Sequence, residues 1–164
     1  FQHSLRHNAL MVQQRPLRSR GLTPRLLPYR NRGPLLSRGE LFFYLALRRA
    51  VAGGVIITFK VRLADLVTCN DADWDAGFGH MIARHHLDFV LCDRETTEVL
   101  LAIELDDRSH RKVARKRRDH FVTGALKAAG IPLLRVRAAG RYDSRELAAM
   151  IDEAIVKRRL PSRS

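Results

Sequence analysis

Carboxylates cluster at the end of one predicted strand, in residues 100–107 (LLAIELDD). Alternation along a strand places its apolar residues on one face and Glu104 with Asp106 on the other. Two carboxylates on one face repel each other, and a divalent cation relieves that repulsion. Hard oxygen ligands suit Mg²⁺ or Mn²⁺. The alternative interpretation is a solvated strand end neutralised by Arg108 and Arg111.

A third carboxylate, Asp88, belongs to the preceding predicted strand (LDFVLC). The short separation between Asp88 and Glu104 predicts a hairpin that brings them together. Three carboxylates focused on one point would hold Mg²⁺ or Mn²⁺ and leave coordination positions for water and a substrate phosphate. Alternation along this strand predicts that Asp88 lies on one face and that the opposite face carries an apolar set, Leu87, Phe89 and Leu91.

Periodicity and capping signals predict the elements that position these side chains. Ser37 and Glu40 have the spacing of a capping box at the start of a helix that stops at residues 53–54. This spacing by itself makes Glu40 a cap of the helix. The remaining elements are predicted as strands over 55–61, 86–92, 98–105 and 131–136, a loop over 69–79, and helices over 111–129 and from Asp143 to about 158. The order α-β-β-β-α-β-α predicts an α/β fold with a central mixed sheet flanked by helices.

The chain has 164 residues and is 46% hydrophobic, which fits one globular domain over 37–160. Residues 1–36 hold seven arginines, four prolines and no acidic residue, which predicts a flexible arm that tracks phosphates or serves as a linker. No apolar run is long enough to span a membrane. The two cysteines form no CxxC pair, which favours the reducing cytoplasm, although an anchor preceding the first residue would be invisible.

Positive charge points to a polyanionic partner. The chain has 30 Lys and Arg against 17 Asp and Glu, a net charge of +13, and nucleic acid is the commonest polyanion. Seven of the eleven residues from 108 to 118 are basic, without interleaved aromatics, which predicts contacts to the DNA backbone rather than to bases. The alternative is a solvated helix face. The residues predicted to contact DNA are Arg108, Arg111, Lys112, Arg115, Lys116 and Arg118.

This pattern resembles a known nuclease superfamily. An aspartate on one strand, Glu-x-(usually Lys) on the next and a glutamate on an N-terminal helix are similar to the PD-(D/E)XK, or restriction-endonuclease-like, superfamily. The string ELDDRSH at 104–110 resembles a block of its very-short-patch-repair-like branch. With RRD at 117–119 and LKAAGIPLLRV at 126–136, the string most resembles an uncharacterised bacterial domain family placed in that superfamily.

The resemblance covers about residues 35–140 and implies a role for each matching residue. Asp88 and Glu104 would be metal ligands, and Glu40 would be the acidic residue of the helix. Asp106 stands where the superfamily usually has a lysine that positions or activates water, and this departure puts catalysis in doubt. His110 would act as general acid and base instead.

These observations predict a metal-dependent endonuclease acting on DNA, with Asp88, Glu104 and Asp106 coordinating Mg²⁺ or Mn²⁺. The alternative is a nucleic-acid-binding module of the same fold that cuts weakly or not at all. A third interpretation is a basic interaction domain near anionic lipid. No small-molecule cofactor is expected because no glycine-rich loop carries Lys-Ser/Thr, and the His and Cys spacing fits no zinc template.

Overall fold

The computed structural model describes residues 27–51, 53–106 and 113–159, with side chains over 117–156 in the last stretch. The chain divides into two units, Phe1–Gly33 and Pro34–Ser164. Residues 27–36 of the predicted arm form no helix or strand, and the rest of the arm lies outside the described residues. Among the described residues, no helix has both the length and the apolar character needed to cross a membrane.

Four strands of the second unit form one mixed sheet. They are β1 (Val55–Arg62), β2 (His86–Asp93), β3 (Val99–Asp106) and β4 (Leu133–Arg137), in that spatial order. The first three strands pair antiparallel, whereas β4 pairs parallel with β3. A parallel neighbour requires a long crossover, and a helix between β3 and β4 provides it. The predicted α/β fold with a mixed sheet flanked by helices is confirmed.

The long helices are α1 (Arg38–Ala50), α4 (Val113–Ala128) and α5 (Ser144–Arg159), close to the predicted ranges. Ser37 caps α1 in a complete capping box with Glu40, as the spacing predicts. The predicted loop over 69–79 was wrong, because that segment holds α2 (Asp71–Asp75) and the start of α3 (Phe78–Ala83). The Asn70 side chain caps α2, and Gly77 separates the two helices with a φ of 103°.

Hydrophobic residues form two cores, one on each face of the sheet. The first core lies under α1 and α5 and contains Phe43 and Leu147. The second core lies under α4 and contains Val122 and Leu126. The two helical layers therefore hold the sheet between them and fix the ends of its strands.

The predicted apolar face of β2 was wrong at one position. Phe89 and Leu91 lie in the first core, but Leu87 lies in the second. Strict alternation would have kept all three on one face. The change of face occurs opposite Lys60 of β1, whose φ of 57° interrupts the ordinary extended backbone. On β3, by contrast, Leu101, Ile103 and Leu105 all pack in the first core, as predicted.

Candidate active site

One cavity of about 430 Å³ collects the carboxylates that the sequence singled out. It lies where β2 begins and β3 ends, at neighbouring ends of antiparallel strands. Its walls include Glu40 from α1, Asp88 from β2, and Glu104 with Asp106 from β3. All four residues therefore line one cavity. A larger, mainly apolar cavity of about 560 Å³ beside α3 and α4 has none of them in its lining.

Among the described groups that line this cavity, Glu104 has the pKa that is shifted furthest. Its side chain is 8% exposed, and among the described residues its Oε1 has no hydrogen-bond partner. Burial, and then the charge of Asp88, raise the pKa of Glu104 to about 7. The Arg118 guanidinium lies 3.7 Å from Oε1, which is an ion pair without a hydrogen bond. A buried carboxylate oxygen without a donor is costly, so this atom is poised to bind a positively charged group.

Asp88 is held between two neighbouring strands. Its Oδ2 accepts the backbone N–H of Leu105 at 2.9 Å, and its Oδ1 lies 3.6 Å from Lys60 Nζ. The β2–β3 ladder reaches only as far as Phe89 and Ile103, so the Asp88 side chain occupies the gap where these strands separate. This contact fixes the carboxylate at the cavity wall.

Both carboxylate oxygens of Glu40 accept hydrogen bonds from other residues of the protein. Oε2 accepts the backbone N–H of Ser37 at 2.8 Å, and Oε1 accepts a hydrogen bond from Lys60 Nζ. Burial raises the pKa of Glu40, but the hydrogen bonds from Lys60 and Ser37 outweigh it and leave the pKa below its usual value. Glu40 thus caps α1 and also lines the cavity.

Asp106 lines the cavity but is engaged by a cation of the protein. Arg135 Nη1 donates to Asp106 Oδ1 at 3.1 Å and lies 3.9 Å from Asp119 Oδ1. The same guanidinium donates to the Asp119 carbonyl and to the Thr123 hydroxyl of α4. Asp106 therefore helps to tie β3, β4 and α4 together, and its Oδ1 is engaged by Arg135.

Most of the predicted DNA contacts lie outside the described residues. Arg108, His110, Arg111 and Lys112 fall in the undescribed segment, and the side chains of Arg115 and Lys116 are likewise not described. Arg118 lines the cavity and also donates to the His86 carbonyl at 3.2 Å. Arg118 is a predicted DNA-contacting residue whose side chain is described, and it places a positive charge beside the carboxylates of the cavity.

The chemistry of the cavity fits a divalent cation held by two carboxylates. Asp88 and Glu104 share the cavity, and no described residue donates a hydrogen bond to Glu104 Oε1. Mg²⁺ is commonly bound through one or two carboxylates, with water and substrate phosphate completing the shell. In the part of the chain that the structure describes, no group of three or more His, Cys, Asp or Glu side chains is arranged to hold a metal. The third ligand predicted from sequence, Asp106, is the one paired with Arg135.

Sequence reasoning missed two cations of this site, Lys60 and Arg135. A signal for the first existed, because Lys60 stands in a mostly apolar strand and no other lysine precedes Lys112. In a chain that otherwise uses arginine in that region, a single strand lysine indicates a specific contact. Arg135 lies in the predicted β4, but no local pattern indicates its partner.

Comparison with known proteins gives one match. The family described as "Protein of unknown function (DUF2726)" matches residues 32–155, which covers α1 to α5 almost completely. No curated protein and no solved structure matches the chain. Because the family match spans most of the chain, the protein belongs to the DUF2726 family of proteins of unknown function.

Proposed function

We propose that this domain is a metal-dependent nuclease-like domain that hydrolyses phosphodiester bonds of DNA. The observation that carries the proposal is the buried Oε1 of Glu104, which lies in one cavity with Asp88 and has no hydrogen-bond partner within the described part of the chain. A cation at this point would relieve both the burial of Glu104 and its repulsion from Asp88.

The topology supports placing the domain in the PD-(D/E)XK superfamily. A helix precedes three antiparallel strands, and a crossover helix then leads to a parallel fourth strand. This is the α-β-β-β-α-β order of the resemblance, with α2 and α3 inserted between β1 and β2. The acidic residues lie on the strands where the resemblance expects them. The assignment to this superfamily remains part of the proposal.

In this proposal Asp88 and Glu104 hold Mg²⁺ or Mn²⁺. When bound, the cation would lower the pKa of a water molecule and offset charge that develops on the phosphate. Asp88 is held in place by the Leu105 N–H, so its carboxylate is oriented before a cation arrives. Arg118, at the same wall, would bind a phosphate oxygen, and the basic residues from 108 to 116 would bind the adjacent DNA backbone. His110 remains the predicted proton-transfer group.

A second candidate function is a nucleic-acid-binding module that cuts weakly or not at all. The observation that favours it is the Asp106–Arg135 pair, which occupies the position where the superfamily usually presents a lysine. Such a module would bind DNA through its basic residues with strong salt dependence and without any requirement for a divalent cation.

The test is nicking of supercoiled plasmid by the full chain with Mn²⁺ or with EDTA. We expect nicking with Mn²⁺, none with EDTA, and loss of at least about 100-fold in Asp88→Asn and Glu104→Gln, since each removes a ligand charge. Asp152→Asn, on the exposed face of α5, is the matched control and should cut like the wild type.

Binding by gel shift separates the two candidate functions. A salt-sensitive shift that EDTA does not change, in a protein that never nicks, would identify the binding module. Nicking that persists unchanged in Glu104→Gln would contradict the proposed metal site.

A further inference from the structure

Lys60 has a backbone conformation that a lysine rarely adopts in a strand. Its φ is 57°, in the left-handed region that disfavours side chains with a Cβ. Thr97, the other non-glycine residue with positive φ among the described residues, belongs to the turn between β2 and β3. Strain of this kind persists where surrounding contacts enforce it, and it is concentrated at functional sites.

The conformation of Lys60 coincides with a change of face in two strands. Phe59 packs in the first core and Val61 in the second, although two residues apart in a strand they should share a face. On β2, Phe89 and Leu87 differ in the same way. These residues pair as Phe59 with Phe89 and Val61 with Leu87, so the change occurs at the same step of both strands, between the pairs that flank Lys60 and Asp88.

The result is a chain of charged contacts from α1 to the cavity wall. Glu40 accepts a hydrogen bond from Lys60 Nζ, and Lys60 Nζ lies 3.6 Å from Asp88 Oδ1. Lys60 does not line the cavity, whereas Glu40 and Asp88 both do. Both oxygens of Glu40 accept a hydrogen bond, one from Lys60 and the other from the Ser37 N–H. Asp88 accepts the Leu105 N–H through its Oδ2, and its Oδ1 faces Lys60.

We propose that Lys60 is a positioning residue that fixes the Asp88 carboxylate for cation binding, and that Glu40 acts by holding Lys60 rather than by contacting the cation. This inference rests on the proposed function, since it concerns the same cation site. The inference also explains the strained backbone of β1 at Lys60. A residue with an ordinary extended backbone at this position would not place its ammonium group between α1 and β2. The inference further gives the helix glutamate a role different from that of a ligand.

The test is calorimetric titration of the full chain with Mn²⁺, with thermal unfolding of each variant as a check of folding. We expect Lys60→Met to weaken Mn²⁺ binding about tenfold or more, because residues that orient metal ligands typically contribute that much to affinity. Lys60→Arg, which keeps the charge, should recover part of the loss. Lys127→Met, at an exposed position of α4, is the matched control and should bind like the wild type.

Glu40→Gln tests the second half of the proposal. A glutamine still completes the capping box with Ser37 but removes the charge that holds Lys60. Binding should weaken yet remain measurable, whereas Asp88→Asn should abolish it. If Lys60→Met does not fold, Glu40→Gln still tests the proposal, because unchanged Mn²⁺ binding by Glu40→Gln would overturn it.

Two further results would overturn the inference without touching the proposed function. One is wild-type affinity in folded Lys60→Met. The other is complete loss of binding in Glu40→Gln while Lys60→Met still binds, which would make Glu40 a ligand. Absence of Mn²⁺ binding in the wild type would instead remove the proposed metal site itself.

Discussion

Asp88 replaces a strand carbonyl where β2 and β3 separate, since its Oδ2 accepts the Leu105 backbone N–H at 2.9 Å. Beyond the pair of Phe89 and Ile103 the two backbones no longer exchange hydrogen bonds. A backbone donor at such a point needs another acceptor, because leaving it unpaired in a half-buried position is costly. The side chain that supplies this acceptor also lines the acidic cavity. Asp88 therefore has a structural and a proposed catalytic role at once.

Removing the Asp88 carboxylate should expose this double role. Asp88→Ala leaves the Leu105 N–H without an acceptor and should lower the free energy of unfolding by about 1–3 kcal/mol. Asp88→Asn keeps an acceptor oxygen and should lose distinctly less stability, although it loses the ligand charge. Urea denaturation at neutral pH measures both. Equal losses in the two variants would show that the Leu105 contact contributes nothing.

The perturbed pKa of Glu104 predicts a pH-dependent stability. Burial and the charge of Asp88 raise this pKa from 4.5 to about 7, so the folded protein holds a proton there that the unfolded chain has released. Stability should therefore fall as the pH rises from 4.5 to 7 and lose nothing further from this group above 7. At about 1.4 kcal/mol per pH unit, the loss amounts to about 3 kcal/mol at most.

Glu104→Gln removes this titration and is the variant to compare with the wild type. The free energy of unfolding of Glu104→Gln relative to the wild type should be higher at about pH 8 than at about pH 4.5, because the glutamine carries no charge to bury. Other titrating groups contribute similarly to both proteins. Parallel pH profiles of the two proteins would contradict the raised pKa.

The Arg135 contacts predict that Arg135 contributes more to the stability of the fold than Asp106 does. Arg135→Met removes hydrogen bonds to Asp106, to the Asp119 carbonyl and to Thr123, and it should destabilise the domain by about 1–3 kcal/mol. Asp106→Asn, at a more exposed position, should cost less than about 1 kcal/mol. Chemical denaturation measures the free energy of unfolding of both variants and of the wild type.

Comparison of Asp106→Asn with Asp88→Asn tests whether Asp106 is a metal ligand. If Asp106 only anchors Arg135, Asp106→Asn should keep most of the Mn²⁺ affinity that Asp88→Asn loses. A loss as large as in Asp88→Asn would restore Asp106 to the ligand set that the sequence predicts.

Local sequence signals were sufficient for most of the elements. The Ser37 and Glu40 spacing predicts the start of α1, and the capping box is present. Asp143 predicts α5 in the same way and accepts the N–H groups of Arg145 and Glu146. The short helices after Asn70 were missed, because a single turn capped by polar residues has no apolar periodicity to detect.

The sequence by itself determined the element order, the mixed sheet and the acidic residues of β2 and β3, since caps, turns and strand patterns are set by neighbours along the chain. The tertiary structure decided which cation meets which carboxylate. Lys60 reaches Glu40 across 20 residues, and Arg135 reaches Asp106 across 29. The change of strand face at Lys60 was equally invisible, because it depends on contacts from α1 and β2 that no local periodicity contains. Pairings of this range follow from how helices pack on the sheet, and only the folded chain brings them together.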